Sequence, residues 1–456
     1  MADVMKELWL WLSMADLATE LRQLEDEGRD TSPVRKDFEG LIALGDEDLS
    51  TPSNQEKAGA LLDAAQRLGM RQGYGFKEPS GLAEVRKLRE RGPDRVKSRL
   101  SDNELQDRLL GAWLGRCAGC LLGKPIEGVR TEELWGFLKM ADQWPLSDYI
   151  RFDVGGQAAK TYPRFAGLRA FDALDHMPAD DDMDYTVAGL LVVKESGAAF
   201  TPADVGRFWM RNIPLLRTCT AERVAYRNLA MRVQPPASAS YRNPYREWIG
   251  ARIRADAFAY VCVGNPERAA EFAWRDASIS HVKNGIYGEM LVAAMIAWTP
   301  FCDDVTELLE AGLGEIPMTS RLHADVREVM RWHAAGLGYD EAVARIHERW
   351  DEGLPHHWCH TNSNTMICAA ALLWGEGDFG KSICRAVQPG FDTDCNGATV
   401  GSILGMMLGA ASIPSSWTRR FNNTLKTSLV GHETVDIEEM ARETFAMHGG
   451  LRKHHT

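Results

Sequence analysis

The chain lacks a long apolar run, an excess of positive charge and an even set of cysteines. No apolar stretch reaches the roughly 18 residues that a membrane-spanning helix needs. The 52 lysines and arginines stand against 64 acids, a net charge of −12 at pH 7, which disfavours nucleic-acid and anionic-membrane partners. Nine scattered cysteines do not describe a disulfide framework. We therefore predict a cytoplasmic protein in a reducing compartment, without membrane or nucleic-acid partners.

Glycine, by contrast, recurs at every fourth position in two apolar segments. This spacing places the glycines on one helix face, where another backbone can approach closely. We predict that the two helices pack against each other at the centre of the fold. The two glycine ridges are Gly111, Gly115, Gly119 and Gly123 in the first segment and Gly397, Gly401, Gly405 and Gly409 in the second.

The rest of the chain also shows helical rather than alternating apolar spacing. The segments with this spacing cover residues 184–195, 266–277, 285–298, 325–335 and 365–374. We predict an all-α protein. Its main part would be one large bundle-like domain over residues 101–456, opened by a capping-box pattern at Ser101–Glu104, and a small helical module would occupy residues 1–100.

The predicted N-terminal module contains three helices and no acid cluster. Apolar residues from Leu10 to Leu24 recur at helical spacing, and a capping-box pattern at Ser53–Glu56 opens a second helix that runs to Gly69. A third helix covers residues 82–91, and a basic, proline-bearing linker ends at Arg99. Packing, oligomerisation and partner binding are the alternatives for its role, and packing is favoured.

Two clusters of aspartates each precede a small, apolar helical segment. The first is Asp180-Asp181-Asp182-Met183-Asp184, and the second is Asp392 with Asp394. Each cluster alone is typical of a helix N-cap. Two such clusters buried together would repel each other unless a cation lay between them. Oxygen ligands without a nearby Cys/His set favour Mg²⁺, Mn²⁺ or Ca²⁺ over Zn²⁺.

Five motifs together resemble the ADP-ribosylglycohydrolase family, which includes dinitrogenase-reductase-activating glycohydrolase and the ADP-ribosyl-arginine and ADP-ribosyl-serine hydrolases. The resemblance spans about residues 105–412. It implies an all-α fold and a Mg²⁺-dependent hydrolase, with two ions in a cleft, that cleaves a glycosidic bond at ribose C1. Mn²⁺ is an alternative ion. The motifs, in chain order, are residues 109–115, Gly123-Lys124-Pro125-Ile126-Glu127-Gly128, Asp180-Asp181-Asp182, Ser280-His281 and Gly390-Phe391-Asp392-Thr393-Asp394.

The resemblance also assigns roles to individual residues of this chain. The implied metal ligands are Asp180, Asp181, Asp182, Asp392 and Asp394. The implied catalytic residues are Glu127, Asp182 and Asp392, and the candidate substrate-binding residues are His281, Tyr287, Trp248 and Gly390. Two alternatives stay open, since His281 could be a satisfied core histidine and Trp248 a buried aromatic residue.

Two departures from the family's pattern concern metal binding and substrate. Met183 and Cys395 stand where the family usually has threonines, and a thiol is a poor magnesium ligand. Asp180, Asp184 or Asn396 could compensate, or one metal site could be weaker. The substrate would be an ADP-ribosylated protein or small molecule. The alternatives are a nucleosidase-like or glycosidase-like enzyme for a small metabolite, an inactive ADP-ribose or nucleotide binder, and a purely structural protein.

Overall fold

The computed structural model describes residues 11–94, 96 and 100–453, and it confirms the predicted all-α class. The first helices are α1 (Met14–Asp26), α2 (Arg35–Ile42), α3 (Gly45–Leu49), α4 (Pro52–Ala65) and α5 (Leu82–Leu88). The next are α6 (Asp102–Gly123), α7 (Thr131–Met140), α8 (Gly156–Thr161), α9 (Pro163–Ala166), α10 (Asp181–Ser196), α11 (Pro202–Asn212), α12 (Thr220–Ala230) and α13 (Ala237–Ser240). They are followed by α14 (Ala255–Tyr260), α15 (Pro266–Ala277), α16 (Asn284–Trp298), α17 (Val305–Leu313), α18 (Arg321–Ala334), α19 (Tyr339–Arg349), α20 (Pro355–Trp358) and α21 (Thr361–Gly375). The last are α22 (Phe379–Val387), α23 (Thr393–Leu408), α24 (Ser415–Thr418) and α25 (Ile437–Lys453).

One small sheet interrupts the helical pattern near the C-terminus. Strands β1 (Thr424–Lys426) and β2 (Thr434–Asp436) pair antiparallel, with Leu425 opposite Val435. The sequence pattern predicts no strand there, because a segment of three residues is too short to show alternation. No helix within the described ranges is long and apolar enough to cross a membrane.

The two glycine ridges face each other in antiparallel helices at the centre of the main core. A Cβ added to Gly115 would collide with the carbonyl oxygen of Gly401, and a Cβ on Gly401 would collide with that of Gly115. The same reciprocal contact joins Gly119 with Gly397 and Gly111 with Gly405. The backbones of α6 and α23 therefore touch along three helical turns, as predicted. Gly409 differs: it follows the end of α23 at φ +82° and faces Asp107.

The second helix predicted in the first hundred residues starts and stops at different residues from those predicted, and the third starts at Leu82 as predicted but ends at Leu88. Helix α4 begins one residue before Ser53, because Thr51 is the N-cap and Pro52 supplies a preset first-turn φ. The predicted capping box at Ser53 is therefore wrong, and the helix ends at Ala65 rather than Gly69. A capping box does occur at Ser13, ahead of α1. Leu10 and the end of the predicted linker, residues 95 and 97–99, lie outside the described residues.

The N-terminal segment has two packing modes. Helices α1 to α4 share an apolar cluster of their own, which includes Leu17, Phe38 and Leu62. Helix α5 instead inserts Val85 into the main core. The segment between them crosses the main domain, where Glu78 pairs with Arg321 at 2.9 Å. A domain boundary at residue 100 stays a prediction.

Candidate metal centre

The two predicted acid clusters meet at the N-termini of α10 and α23. Asp180 is the N-cap of α10, and its Oδ1 accepts the Asp182 N–H at 2.9 Å. Asp392 occupies the N-cap position of α23, the helix that packs on α6. Both ends are held in the core by packed helices rather than by surface loops. The rigid core therefore determines the separation of the carboxylates.

Ligand atoms in this cluster form three groups, each with atoms within 4.8 Å of one another. The groups are Glu127 with Asp392 and Asp394; Asp182 with Asp394 and Cys395; and Cys120 with Asp180 and Asp182. Asp394 belongs to two groups and joins the two acid clusters. The first group contains oxygen atoms alone, whereas a sulfur completes each of the others.

Two buried or half-buried cations pair with the first acid cluster. Arg116, inside the glycine-rich helix α6, lies 2.9 Å from Asp182 Oδ1 and 2.8 Å from Asp256. Lys124 Nζ lies 2.6 Å from Asp180 Oδ2. Within the described chain, Asp392 and Asp394 have no ion-pair partner, and Asp182 Oδ2 has no hydrogen-bond donor although Asp182 is completely buried. These carboxylate oxygens thus have no hydrogen-bonded cationic partner among the described side chains.

The crowded carboxylates change the pKa values of the site. Burial, together with the charges of Asp180 and Asp394, raises the pKa of Asp181 to about 8. The charge of Asp394, with those of Asp181 and Asp180, raises the pKa of Glu127 to about 10. Burial and Asp394 also raise the pKa of Asp392 well above its ordinary value. A bound cation would oppose each of these shifts, because it stabilises the ionised carboxylates.

Glu127 lies at the exposed side of this cluster, whereas Asp392 and Asp394 are buried. It follows the short 3-10 helix Lys124–Ile126, which directly continues α6. The same turn therefore places Lys124 against Asp180 and Glu127 near Asp394. This turn supplies one acid that solvent or a ligand can reach.

His281 and Gly390, two of the predicted substrate-binding residues, are buried. His281 Nδ1 lies 2.8 Å from Ser280 Oγ, and burial together with Arg254 lowers the pKa of the imidazole well below its ordinary value. Gly390 has φ +76°, and a Cβ there would meet the Glu352 carboxylate. Gly390 is thus required by the turn before Asp392, and His281 lies outside the three ligand groups. Their substrate roles stay predictions.

Trp248 and Tyr287 make contacts that differ from those expected of substrate-binding residues. The buried Trp248 indole N–H donates to His356 Nδ1 at 3.0 Å. The Tyr287 hydroxyl donates to the carbonyl oxygen of Pro79, in the segment between α4 and α5. Both contacts support the packing of the N-terminal segment and its neighbours, and the substrate roles of the two residues stay predictions.

The residues proposed to compensate for the lost hydroxyls are already engaged. Asp184 Oδ1 accepts the Ser428 N–H at 2.9 Å. The Asn396 side-chain amide accepts from Arg252 at 2.7 Å and donates to Asn364 at 2.8 Å. Cys395 itself lies within the cluster instead.

Two residues of the centre are not among the predicted site residues. They are Arg116 and Lys124, which pair with the first acid cluster. An arginine between the ridge glycines of an apolar helical segment is a signal that could have identified the first. Lys124 lies in the motif Gly123–Gly128, but its partner Asp180 is 56 residues away.

Comparison with known proteins adds a family assignment to this geometry. The family profile described as ADP-ribosylglycohydrolase matches residues 101–453. A solved structure described as an ADP-ribosylglycohydrolase-related protein complex is 20% identical, covering 76% of this chain and 99% of its own, with a TM-score of 0.46. No curated protein matches the chain.

Proposed function

Because the chain belongs to the ADP-ribosylglycohydrolase family, whose members are hydrolases of ribosyl glycosidic bonds, we propose a Mg²⁺-dependent member. Its substrate would be an ADP-ribosylated protein or small molecule, cleaved at ribose C1. The observation that carries this proposal is the convergence of Asp182, Asp392, Asp394 and Glu127 within two groups of neighbouring ligand atoms.

The donor set fits a hard divalent cation. Glu127, Asp392 and Asp394 offer oxygen atoms alone, which Mg²⁺ and Mn²⁺ prefer. Asp182 Oδ2 is buried without a hydrogen-bond donor, a costly arrangement that a cation would relieve. Of the expected ligands, Asp182, Asp392 and Asp394 would hold the metal beside Glu127, and two ions are the expectation. Asp180 is paired with Lys124, and Asp181 belongs to none of the three ligand groups. When bound, Mg²⁺ supplies Lewis-acid and positioning chemistry at the ribosyl ring.

The chain's own carboxylates would handle charge and protons around that ring. Glu127, at the exposed side and ionised when a bound cation offsets its raised pKa, would take the proton of the attacking water. Asp182, held in place by Arg116 at 2.9 Å, and Asp392, whose N–H donates to Asn364 at 3.1 Å, would stabilise the oxocarbenium-like charge that develops. Both are buried, so their charges act with little screening by water.

Release of free ADP-ribose tests this proposal. Peptides ADP-ribosylated on arginine or serine, and a plain nucleoside, are incubated with the full chain, with and without a chelator. We expect release that stops with chelator and returns with Mg²⁺. Glu127→Gln should lower kcat by roughly 10²–10⁴-fold, and Asp392→Asn should abolish Mg²⁺ binding in calorimetry.

Asp184→Asn is the matched control, because Asp184 lies on the same helix turn but binds the Ser428 N–H. It should bind Mg²⁺ and release ADP-ribose as the wild type does. The proposal fails if the wild type binds no divalent cation or if chelation leaves release unchanged. Cleavage of the nucleoside alone would support the small-metabolite alternative. The cytoplasmic location, the absence of membrane and nucleic-acid partners and oligomerisation through the N-terminal module stay predictions.

A further inference from the structure

The group formed by Asp182, Asp394 and Cys395 differs chemically from its oxygen-only neighbour. Cys395 lies in the first turn of α23, is 6% exposed, and places its sulfur within 4.8 Å of carboxylate oxygens of both aspartates. Helix α23 cannot shift easily, because its glycine ridge contacts the α6 backbone. The sulfur is therefore held at the acid cluster by the core of the fold.

Asp182 shows that this group lacks a partner. Its Oδ1 is occupied by Arg116 at 2.9 Å, whereas its Oδ2 has no hydrogen-bond donor among the described residues. The side chain is 0% exposed, so bulk water does not solvate that oxygen. A buried carboxylate oxygen in this state is expected to have a ligand.

The second sulfur-containing group, with Cys120, already has a cation. Both carboxylate oxygens of Asp180 are engaged, Oδ1 by the Asp182 N–H at 2.9 Å and Oδ2 by Lys124 Nζ at 2.6 Å. The lysine ammonium thus supplies the positive charge that a metal would bring to Asp180. Of the two acids grouped with Cys120, only Asp182 keeps a free oxygen, whereas Cys395 is grouped with Asp182 and with Asp394, which has no ion-pair partner among the described residues. Cys395 is therefore the better placed sulfur.

We propose that Asp182, Asp394 and Cys395 form a cation position that selects a thiophilic divalent ion such as Zn²⁺, beside a Mg²⁺ position at Glu127, Asp392 and Asp394. Sulfur ligands favour Zn²⁺ and Cd²⁺, and carboxylate oxygens favour Mg²⁺ and Mn²⁺. On binding, a sulfur–metal bond forms and the thiol proton passes to solvent. This inference rests on the proposed function, because Asp394 would serve both positions.

Cadmium titration of the metal-free full chain tests the thiophilic position. A Cd²⁺–thiolate bond gives ultraviolet charge-transfer absorption that Mg²⁺ and carboxylates do not produce. We expect this absorption in the wild type and its loss in Cys395→Ser, with Cd²⁺ affinity falling roughly tenfold or more. Cys384→Ser, a buried cysteine of α22 outside the three groups, is the matched control and should keep the absorption.

The other outcomes separate this inference from the proposed function. Mg²⁺ calorimetry on Cys395→Ser should still show binding, which also verifies that the variant is folded. If the wild type binds Mg²⁺ and gives no charge-transfer absorption, the thiophilic position is wrong and the hydrolase proposal stands. Absorption that persists in Cys395→Ser and disappears in Cys120→Ser would likewise overturn it. Failure to bind either metal would remove both proposals.

Discussion

Two interfaces organise this molecule, and they use opposite chemistry. Helices α6 and α23 meet through glycines, with backbone against backbone. The N-terminal helix α1 meets the main domain through buried charges: Arg246 lies 2.6 Å from Glu20 and 3.0 Å from Glu27, and Lys283 lies 2.7 Å from Glu27. Shape alone defines the first contact, and matched charge defines the second.

The difference matters for function because each interface supports different residues. The glycine contact sets the position of α23, which carries Asp394 and Cys395. The charged contact holds the segment around Arg246 and Trp248, next to Cys359, whose sulfur lies 3.7 Å from Asp392 Oδ2. Helix packing therefore positions the metal ligands directly, whereas the N-terminal module acts on them indirectly, through the segment around Arg246 and Trp248.

The largest expected effect is the loss of charge matching in the N-terminal interface. Arg246→Met leaves Glu20 buried without its partner, and we expect the free energy of unfolding to fall by about 3–5 kcal/mol. Denaturant titration measures it. Arg246→Met combined with Glu20→Leu removes both charges and should recover most of the loss. A single variant within about 1 kcal/mol of the wild type would contradict the role of this pair.

The glycine interface should be nearly as sensitive to a single added methyl group. Gly115→Ala places a Cβ against the Gly401 carbonyl oxygen, and such overpacking costs about 3 kcal/mol. Gly40→Ala is the same change in helix α2, where a Cβ has open space, and it should stabilise by about 0.5–1 kcal/mol. Equal effects of the two substitutions on the unfolding midpoint would refute the close approach.

Acidity should affect the two charged regions in opposite directions. The pKa of Asp181 is raised from 3.8 to about 8, so its contribution to stability is lost as pH rises between these values. The pKa of Glu27 shifts the other way. Burial alone would raise it, but Arg246 and Lys283 hold it below its ordinary value. The contribution of Glu27 is therefore present at neutral pH and is lost as pH falls below about 4.5.

Thermal unfolding with and without Mg²⁺ tests the part of this contrast that concerns the acid cluster. At pH 8, Mg²⁺ at a hundredfold excess over its Kd should raise the free energy of unfolding by about 2.7 kcal/mol. The same Mg²⁺ concentration should raise it by less at pH 5, because protons then compete for the carboxylates. A shift in melting temperature that is equal at both pH values would mean that the cation does not bind at the acid cluster.

The smallest effect should come from the exposed edge of the N-terminal interface. Arg242 lies 2.6 Å from Asp63, and both side chains are about one-third exposed. Because water and salt screen such a pair, Arg242→Ala should cost about 0.2–1 kcal/mol, and less at high salt. Denaturant titration at two salt concentrations would show it. A loss as large as that of Arg246→Met would erase the distinction between buried and exposed pairs.

The helical class and the contact between the glycine ridges could be predicted because both depend on local spacing. Pro266–Ala277 was predicted with its observed ends, since Asn265 caps it and its apolar residues repeat at helical spacing. The capping box at Ser53 failed because Thr51 and Pro52 present a competing start. The short strands carried too few residues for any periodic pattern.

The sequence by itself determined which helix faces are lined by glycine and which helices begin with paired acids, because both properties depend on residues only a few positions apart. Tertiary structure alone decided that Lys124 neutralises Asp180, that Asp182 keeps an unpaired oxygen and that Tyr287 contacts Pro79. Charge partners and pKa values depend on distances between segments far apart in the chain. Such distances exist only once the core has packed.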